Sequence, residues 1–268
     1  YECARHRHDG NGIERAKALG AAILYGAGFA RVSRAAPRFD VVLADSAFVR
    51  RSVEEGTDVR VRDVVYEAVD ADARRVAREP AEEPLALFAG RISAEKGIFV
   101  LLEAFARARR LVPQARLHIA GSGPRLVDAK EAARRLGVGR AVEFLGRVPN
   151  ERLPALYARA WCVAVPSTWP EPFGIVAAEA ALCGAPVLAS RIGGLPEALA
   201  VEDAADPAPH ALVPPGDVAA WADALVAALQ QPGSVPAAAR EAVAARVGRR
   251  EVARRLVRAY GARTVANA

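Results

Sequence analysis

From Leu85 onward, short apolar runs alternate with amphipathic stretches. Leu85–Ala89, Arg116–Ala120, Val142–Leu145, Trp161–Val165 and Pro186–Ala189 read as strands, and Leu212-Val213 as a last short one. Between and after them, helical periodicity marks residues 97–111, 125–136, 150–160, 175–183 and 217–230, with a short helix around Leu195–Leu199. Residues 237–246 and 249–260 read as two closing helices. The strand runs are mostly apolar at successive positions instead of alternating. That pattern predicts strands buried on both faces, hence a parallel sheet covered by helices and an α/β fold class.

Upstream the pattern is sparser. Asp40 to Ala44 reads as a strand, Asp45-Ser46 as the cap of a helix over 47–55, and Gly56 as its stop. Val59 to Tyr66 reads as another strand, leading to Val69-Asp70. Residues 71–84 are charged and end in Glu82-Glu83-Pro84, a linker composition. Residues 13–34 suggest one or two helices broken around Gly26 and Gly28. Cys3, His6 and His8 have metal-ligand character, but no second half of a site follows, so a solvated chain end is expected there and no metal.

Composition narrows the classes. The formal net charge of +6 comes almost wholly from arginine, with lysines only at 17, 96 and 130. The arginines are spread over many helices without interleaved aromatics, which speaks against nucleic-acid binding. No apolar run reaches membrane-spanning length. The three cysteines, Cys3, Cys162 and Cys183, form no disulfide framework, so a reducing cytoplasm is expected. Methionine is absent even at position 1, so a fragment or processed product is expected. Arg246, Arg250, Arg254 and Arg258 form an i, i+4 stripe; pairing with Glu241 and Glu251 on a solvated face is one reading, peripheral contact with anionic lipid the other.

The unusual residues gather where strands should end. Gly90-Arg91 and Lys96-Gly97 follow the first run, Gly121-Ser122-Gly123 the second, Gly146-Arg147-Val148 the third, and Arg191-Ile192-Gly193-Gly194 the fifth. Ligands of open parallel sheets bind beyond such ends. After the fourth run comes Pro166-Ser167-Thr168-Trp169-Pro170-Glu171-Pro172-Phe173-Gly174, then a nearly all-apolar helix that nevertheless carries Glu179. A carboxylate there needs a partner: either an arginine or amide of the chain, or a ligand. The amides of Gly174, Ile175 and Val176 would open that helix and favour an anion. Arg91 and Lys96 suit phosphate oxygens, with surface charge as the plainer reading. Gly121-x-Gly lacks the third glycine of a dinucleotide fingerprint, and a tight turn explains it.

Glu171-Pro-Phe-Gly with a second Glu eight positions on, preceded by Pro166-Ser167, resembles the E-x7-E motif of retaining glycosyltransferases of the GT-B fold. The similarity is closest to glycosyltransferase family 4, also called group 1, and covers about residues 40–260. It implies a nucleotide diphosphate sugar as donor, an acceptor of unknown identity, and no metal or other cofactor. Glu171 would lie at the donor sugar's hydroxyls, the backbone of Phe173, Gly174, Ile175 and Val176 at sugar and diphosphate, and Glu179 at the ribose. Arg91 and Lys96 would hold the diphosphate and stabilise it as it leaves, which makes Arg91, Lys96 and Glu171 the catalytic set. Gly121 and Gly123 would pass the base and phosphate, and Arg147 and Val148 would meet the base. Gly193-Gly194 and Glu197 match the family's Gly-Gly-x-Pro-Glu, read as structural, and Asp217 is the expected cap of helix 217–230. The family's Asn-Gly-Val-Asp is Glu67-Ala68-Val69-Asp70 here, without the glycine, and residues 201–211 depart from its Gly-rich link. The implied organisation is a remnant of the N-terminal acceptor domain with its linker over 1–80. A Rossmann-like donor domain spans 81–248 and a closing helix 249–268. The alternatives are a nucleotide-sugar-binding module without catalysis, or a phosphorylase or epimerase of the same fold.

Overall fold

The computed structural model describes residues 39–71, 74, 76–201 and 210–261. The expected helices of residues 13–34, the Cys3, His6 and His8 group, and most of 201–211 lie outside the described residues.

The sheet has six parallel strands: β3 (Leu85–Ala89), β4 (Arg116–Ala120), β5 (Val142–Gly146), β6 (Cys162–Val165), β7 (Val187–Ser190) and β8 (Ala211–Val213). A separate two-stranded parallel pair, β1 (Leu43–Ala44) and β2 (Asp63–Val64), is joined through helix α1 (Ala47–Gly56). The spatial order of the large sheet is β5-β4-β3-β6-β7-β8. The chain winds outward from β3 to β5, then returns to the other side of β3 and winds outward again. This is the doubly wound order, and β3 and β6 flank its switch point, where successive connections diverge and leave a crevice.

One face of the sheet is covered by α2 (Ile98–Ala108), α3 (Leu126–Arg135) and α7 (Val218–Leu229). Leu101, Leu102 and Phe105 meet Trp221 and Leu225 over Leu117 and Ile119. The opposite face is covered by α4 (Leu153–Arg159), α5 (Ile175–Leu182) and α8 (Ala237–Val247), whose Tyr157, Ala177, Ala181 and Val243 lie over Leu87, Val163 and Val187. All of β3 is buried, which is why its residues need no alternation. A short α6 (Leu195–Ala198) follows β7, and α9 (Arg249–Gly261) closes the described chain.

The departures from expectation have local causes. Helix 150–160 starts as a 3-10 turn over Asn150–Arg152, and the α-helix begins at Leu153. Pro154 has no N–H and is tolerated only in a first turn. The expected strand Val59–Tyr66 pairs only at Asp63–Val64, because its partner turns into α1 after Ala44. The arginine stripe is broken at Gly248, between α8 and α9. Arg246 turns inward to the carbonyl of Glu197 at 3.1 Å, while Arg254 pairs with Glu251 at 2.7 Å.

The β1–α1–β2 unit is tied to the sheet domain at several points. Val69 pairs with the backbone at Gly248, and its N–H donates to Val247 at 2.8 Å. Arg249 meets Asp70 at 2.9 Å. Arg255 lies 5.7 Å from the Tyr66 ring centroid. Among the described residues, no helix is long and apolar enough to cross a membrane.

Candidate functional site

The site is built by one close backbone approach at the carboxyl ends of β3 and β6. Gly97 takes φ +70° as the residue before α2, and a Cβ there would stand 1.7 Å from the carbonyl oxygen of Pro166. Only glycine combines that conformation with that contact. The N–H of Thr168 donates to the Glu95 carbonyl at 2.9 Å, sealing the same junction. The two loops are therefore locked together just where Lys96 and Glu171 emerge.

Lys96 Nζ lies 2.9 Å from Glu171 Oε1, and the Ser167 hydroxyl donates to the same oxygen. Glu171 is buried, whereas the Lys96 side chain is one-third exposed at 33%. The pair lines a small hollow of about 30 Å3 together with Gly90, Val165 and Val176. Behind Glu171 the Gly193-Gly194 turn presses on the loop. The Gly194 N–H donates to the Glu171 carbonyl at 2.8 Å, and a Cβ on Gly194 would meet the Pro172 carbonyl oxygen at 2.2 Å. Phe173 is buried and packs against Tyr66 with ring centroids 5.4 Å apart. Gly174 then turns the chain into α5, and its carbonyl accepts from Ala177 N–H at 3.0 Å, which leaves the Ile175 and Val176 amides without a partner inside the helix.

The other expected residues divide. Gly121 and Gly123 sit on the neighbouring loop: Gly121 donates to the Gly146 carbonyl at 2.7 Å, and Ile92 N–H donates to Ser122 at 2.9 Å across the strand ends. Arg147 is exposed and Val148 half-buried after β5. Ile175 is exposed at the start of α5. Arg91 does not line the hollow and pairs with Glu95 at 2.7 Å, with its side chain 62% exposed. Glu179, one turn into α5, pairs with Arg74 at 2.6 Å and accepts from the Tyr157 hydroxyl at 3.4 Å. Burial weakens the Arg74 charge, but Glu179 outweighs it and the guanidinium pKa is raised. Burial, then the Glu179 charge, pushes the Tyr157 phenol well above its usual range.

The structure thus brings Lys96 and Glu171 together and gives Arg91 and Glu179 protein partners outside that hollow. Of the two readings of Glu179, the chain supplies the arginine. Ser167 belongs to the signature by position, and in the fold its hydroxyl touches the Glu171 carboxylate. Its signal in the sequence was its place, four residues before Glu171 and just past a strand end.

A larger hollow of about 230 Å3 opens at the amino ends of β4 and β5, between Glu83, Arg116, His118, Arg140 and Glu143. Within it Arg116 bonds Glu83 at 2.9 Å and the Arg140 carbonyl at 3.1 Å, and His118 meets Glu143 at 3.2 Å. It lies at the sheet edge where parallel-sheet ligands do not bind.

The family model "Glycosyl transferases group 1" matches residues 69–246. The D-inositol 3-phosphate glycosyltransferase of Mycolicibacterium paratuberculosis is 37% identical over 224 residues, 78% of this chain and 48% of the relative. The glycogen synthase of Mycobacterium tuberculosis is 42% identical over 127 residues, 47% of this chain and 30% of the relative. The chain spans about half the length of the first of these. Among solved structures, Anabaena Alr3699/HepE in complex with UDP and glucose superposes with a TM-score of 0.77 at 24% identity, covering 88% of this chain and 67% of that one. Sucrose-phosphate synthase from Thermosynechococcus elongatus superposes at 0.70 with 30% identity, covering 85% and 59%. The fold is that of the GT-B glycosyltransferases, and the chain belongs to the group 1 glycosyl transferases.

Proposed function

We propose that this chain carries the donor site of a retaining glycosyltransferase that moves a sugar from a nucleoside diphosphate to an acceptor hydroxyl. The observation that carries the reading is the Lys96–Glu171 pair in one hollow at the switch point of the sheet. A lysine is a point charge for a phosphate oxygen, and a carboxylate is an acceptor for sugar hydroxyls. Side by side they fit the two halves of an activated sugar. The first-turn amides of α5 face negative charge favourably. Arg91, on the same loop as Lys96, reaches the diphosphate by giving up Glu95, and Glu179 reaches the ribose by giving up Arg74.

In the reaction, the bond from the anomeric carbon to the diphosphate oxygen breaks and its electron pair stays on the phosphate. Lys96 and Arg91 stabilise that developing charge, which is where catalytic binding energy acts. The acceptor oxygen bonds to the anomeric carbon on the face the phosphate leaves, and its proton passes to the departing phosphate oxygen. Retention follows without a protein nucleophile. The solved neighbours that hold UDP and glucose make UDP-glucose the first donor to try, and the relative named for D-inositol 3-phosphate makes a phosphorylated polyol the first acceptor. A cytoplasmic setting suits such a donor.

Calorimetric titration of the chain with UDP and UDP-glucose tests the donor site. Lys96→Ala should weaken both by about tenfold or more, the weight of one charge-assisted contact. Glu179→Ala should also weaken both if the ribose lies there. Unchanged affinity in both variants with the fold intact would remove the site. A transfer assay with the same sample separates catalysis from binding alone.

A further inference from the structure

Glu197 is the residue of the Gly-Gly-x-Pro-Glu segment that the donor site does not use, and its contacts are unusual. Its carboxylate reaches across to the β1–α1–β2 unit and accepts from two successive amides in the first turn of α1. Ala47 N–H donates to Oε2 at 2.7 Å and Phe48 N–H to Oε1 at 2.8 Å. The Tyr66 hydroxyl donates to Oε2 at 3.4 Å, and Arg246 holds the Glu197 carbonyl at 3.1 Å. These two amides are among those a helix leaves without internal partners. The carboxylate also complements the positive end of the helix dipole.

The same helix start grips the loop that bears Glu171. Ser46, whose oxygen accepts from Val49 N–H at 3.0 Å as the α1 cap, donates its own proton to the Pro172 carbonyl at 2.5 Å. Pro172 follows Glu171 directly. Gly193 and Gly194, on the segment that carries Glu197, pack against Glu171 and Pro172 from behind. Tyr66 covers Phe173. The Glu-Pro-Phe-Gly loop is therefore clamped between α1 on one side and the turn leading to Glu197 on the other, and Glu197 closes the clamp.

We propose that Glu197 is a positioning residue: it ties the first turn of α1 to the Gly193-Gly194 turn, and so sets where Glu171 stands relative to the donor sugar. This rests on the proposed donor site and assigns control of its sugar end to the N-terminal unit. The backbone at Lys96 does not depend on the clamp, because the Gly97–Pro166 approach fixes it, although its side chain shares an ion pair with Glu171. The nucleotide end and the sugar end should therefore respond differently.

Two readouts on the full chain test this. Trp169 stands in the clamped loop and is half-buried, while Trp161 and Trp221 are buried. In Glu197→Ala without ligand, acrylamide quenching of the exposed component should rise. By calorimetry, the preference for UDP-glucose over UDP should fall by about tenfold, the weight of one charged hydrogen bond to a sugar hydroxyl. Affinity for UDP itself should change by less than the preference does, because Lys96 keeps its backbone anchor even where its ion pair with Glu171 loosens. Glu197→Gln keeps one acceptor oxygen and should restore much of the preference. If Glu197→Ala fails to fold, Ser46→Ala opens the other side of the clamp and should act in the same direction. Unchanged quenching with an unchanged preference would overturn the proposal, as would a parallel loss of UDP and UDP-glucose affinity, which marks a merely structural role. A wild-type chain that binds neither ligand would instead reject the donor site, and quenching alone would then decide for or against Glu197.

Discussion

Glu171 and Glu179 stand eight positions apart and are chemically the same, yet the fold treats them differently. Glu171 is placed by backbone. Gly97 lets the β3 loop touch Pro166, Gly194 bonds the Glu171 carbonyl, and the carboxylate meets a lysine that is itself part of the hollow. Glu179 is placed by a helix, and its partner comes from outside the sheet domain: Arg74, in the segment between β2 and β3, at 2.6 Å. One carboxylate therefore owes its position to close packing that a single methyl would destroy. The other owes its present partner to a side chain that can be exchanged. A site needs both kinds of residue, one preorganised and one able to change hands.

The strongest way to break the first arrangement is Gly97→Ala. The added carbon would overlap the Pro166 carbonyl at 1.7 Å, and φ of +70° disfavours any side chain. Backbone cannot give way as a side chain tip can, so we expect a loss of more than about 4 kcal/mol in urea unfolding. A transition midpoint equal to the wild type would mean that the two loops do not touch as described.

The second arrangement should break less severely and be repairable. Arg74 and Glu179 have side chains only 11% and 13% exposed. Arg74→Ala leaves the carboxylate poorly solvated and without its cation, at a cost of about 3 kcal/mol. Adding Glu179→Gln removes the unmatched charge and should recover much of the loss. A double-mutant cycle on unfolding free energies measures this, and strict additivity would show that the pair contributes nothing. The same Arg74→Ala variant frees Glu179 for a ligand, so a UDP affinity that holds or rises despite the lost stability would set Glu179 beside the donor.

What could be read from the chain follows the same division. β3 was legible to the residue because it is a buried run with its own turn signals, and β4 because turn signals bound it although Arg116 is exposed and His118 half-buried; Asp217 was legible as a cap because capping is local: it accepts from Ala219 and Ala220 N–H at 3.0 Å each. Lys96 stood out because lysine is rare in an arginine-rich chain. The partners of Glu179 and Glu197 were not legible. Arg74 is 105 positions from Glu179, and Ala47 is 150 from Glu197. No spacing rule reaches across a crossover of that length; only the winding of the sheet brings them together. Arg91 has the opposite kind of partner, one close in sequence. A helix-like spacing of four residues offered it Glu95 nearby, and an exposed arginine takes the nearest carboxylate.

That last pair gives the smallest expected effect and the sharpest contrast. Arg91 and Glu95 are 62% and 39% exposed, so their ion pair is screened by water and held against side-chain entropy. Arg91→Ala should change unfolding free energy by no more than about 0.5 kcal/mol. If Arg91 swings to a diphosphate, the same substitution should weaken UDP binding by about tenfold, because a bidentate guanidinium contact to phosphate is worth more than its resting pair. Arg91→Lys should restore the charge but not the fork, and so recover only part of the affinity. Thermal unfolding and calorimetry on one preparation separate the two quantities. A stability loss without an affinity loss would make Arg91 a surface strut and leave Lys96 to meet the phosphates by itself.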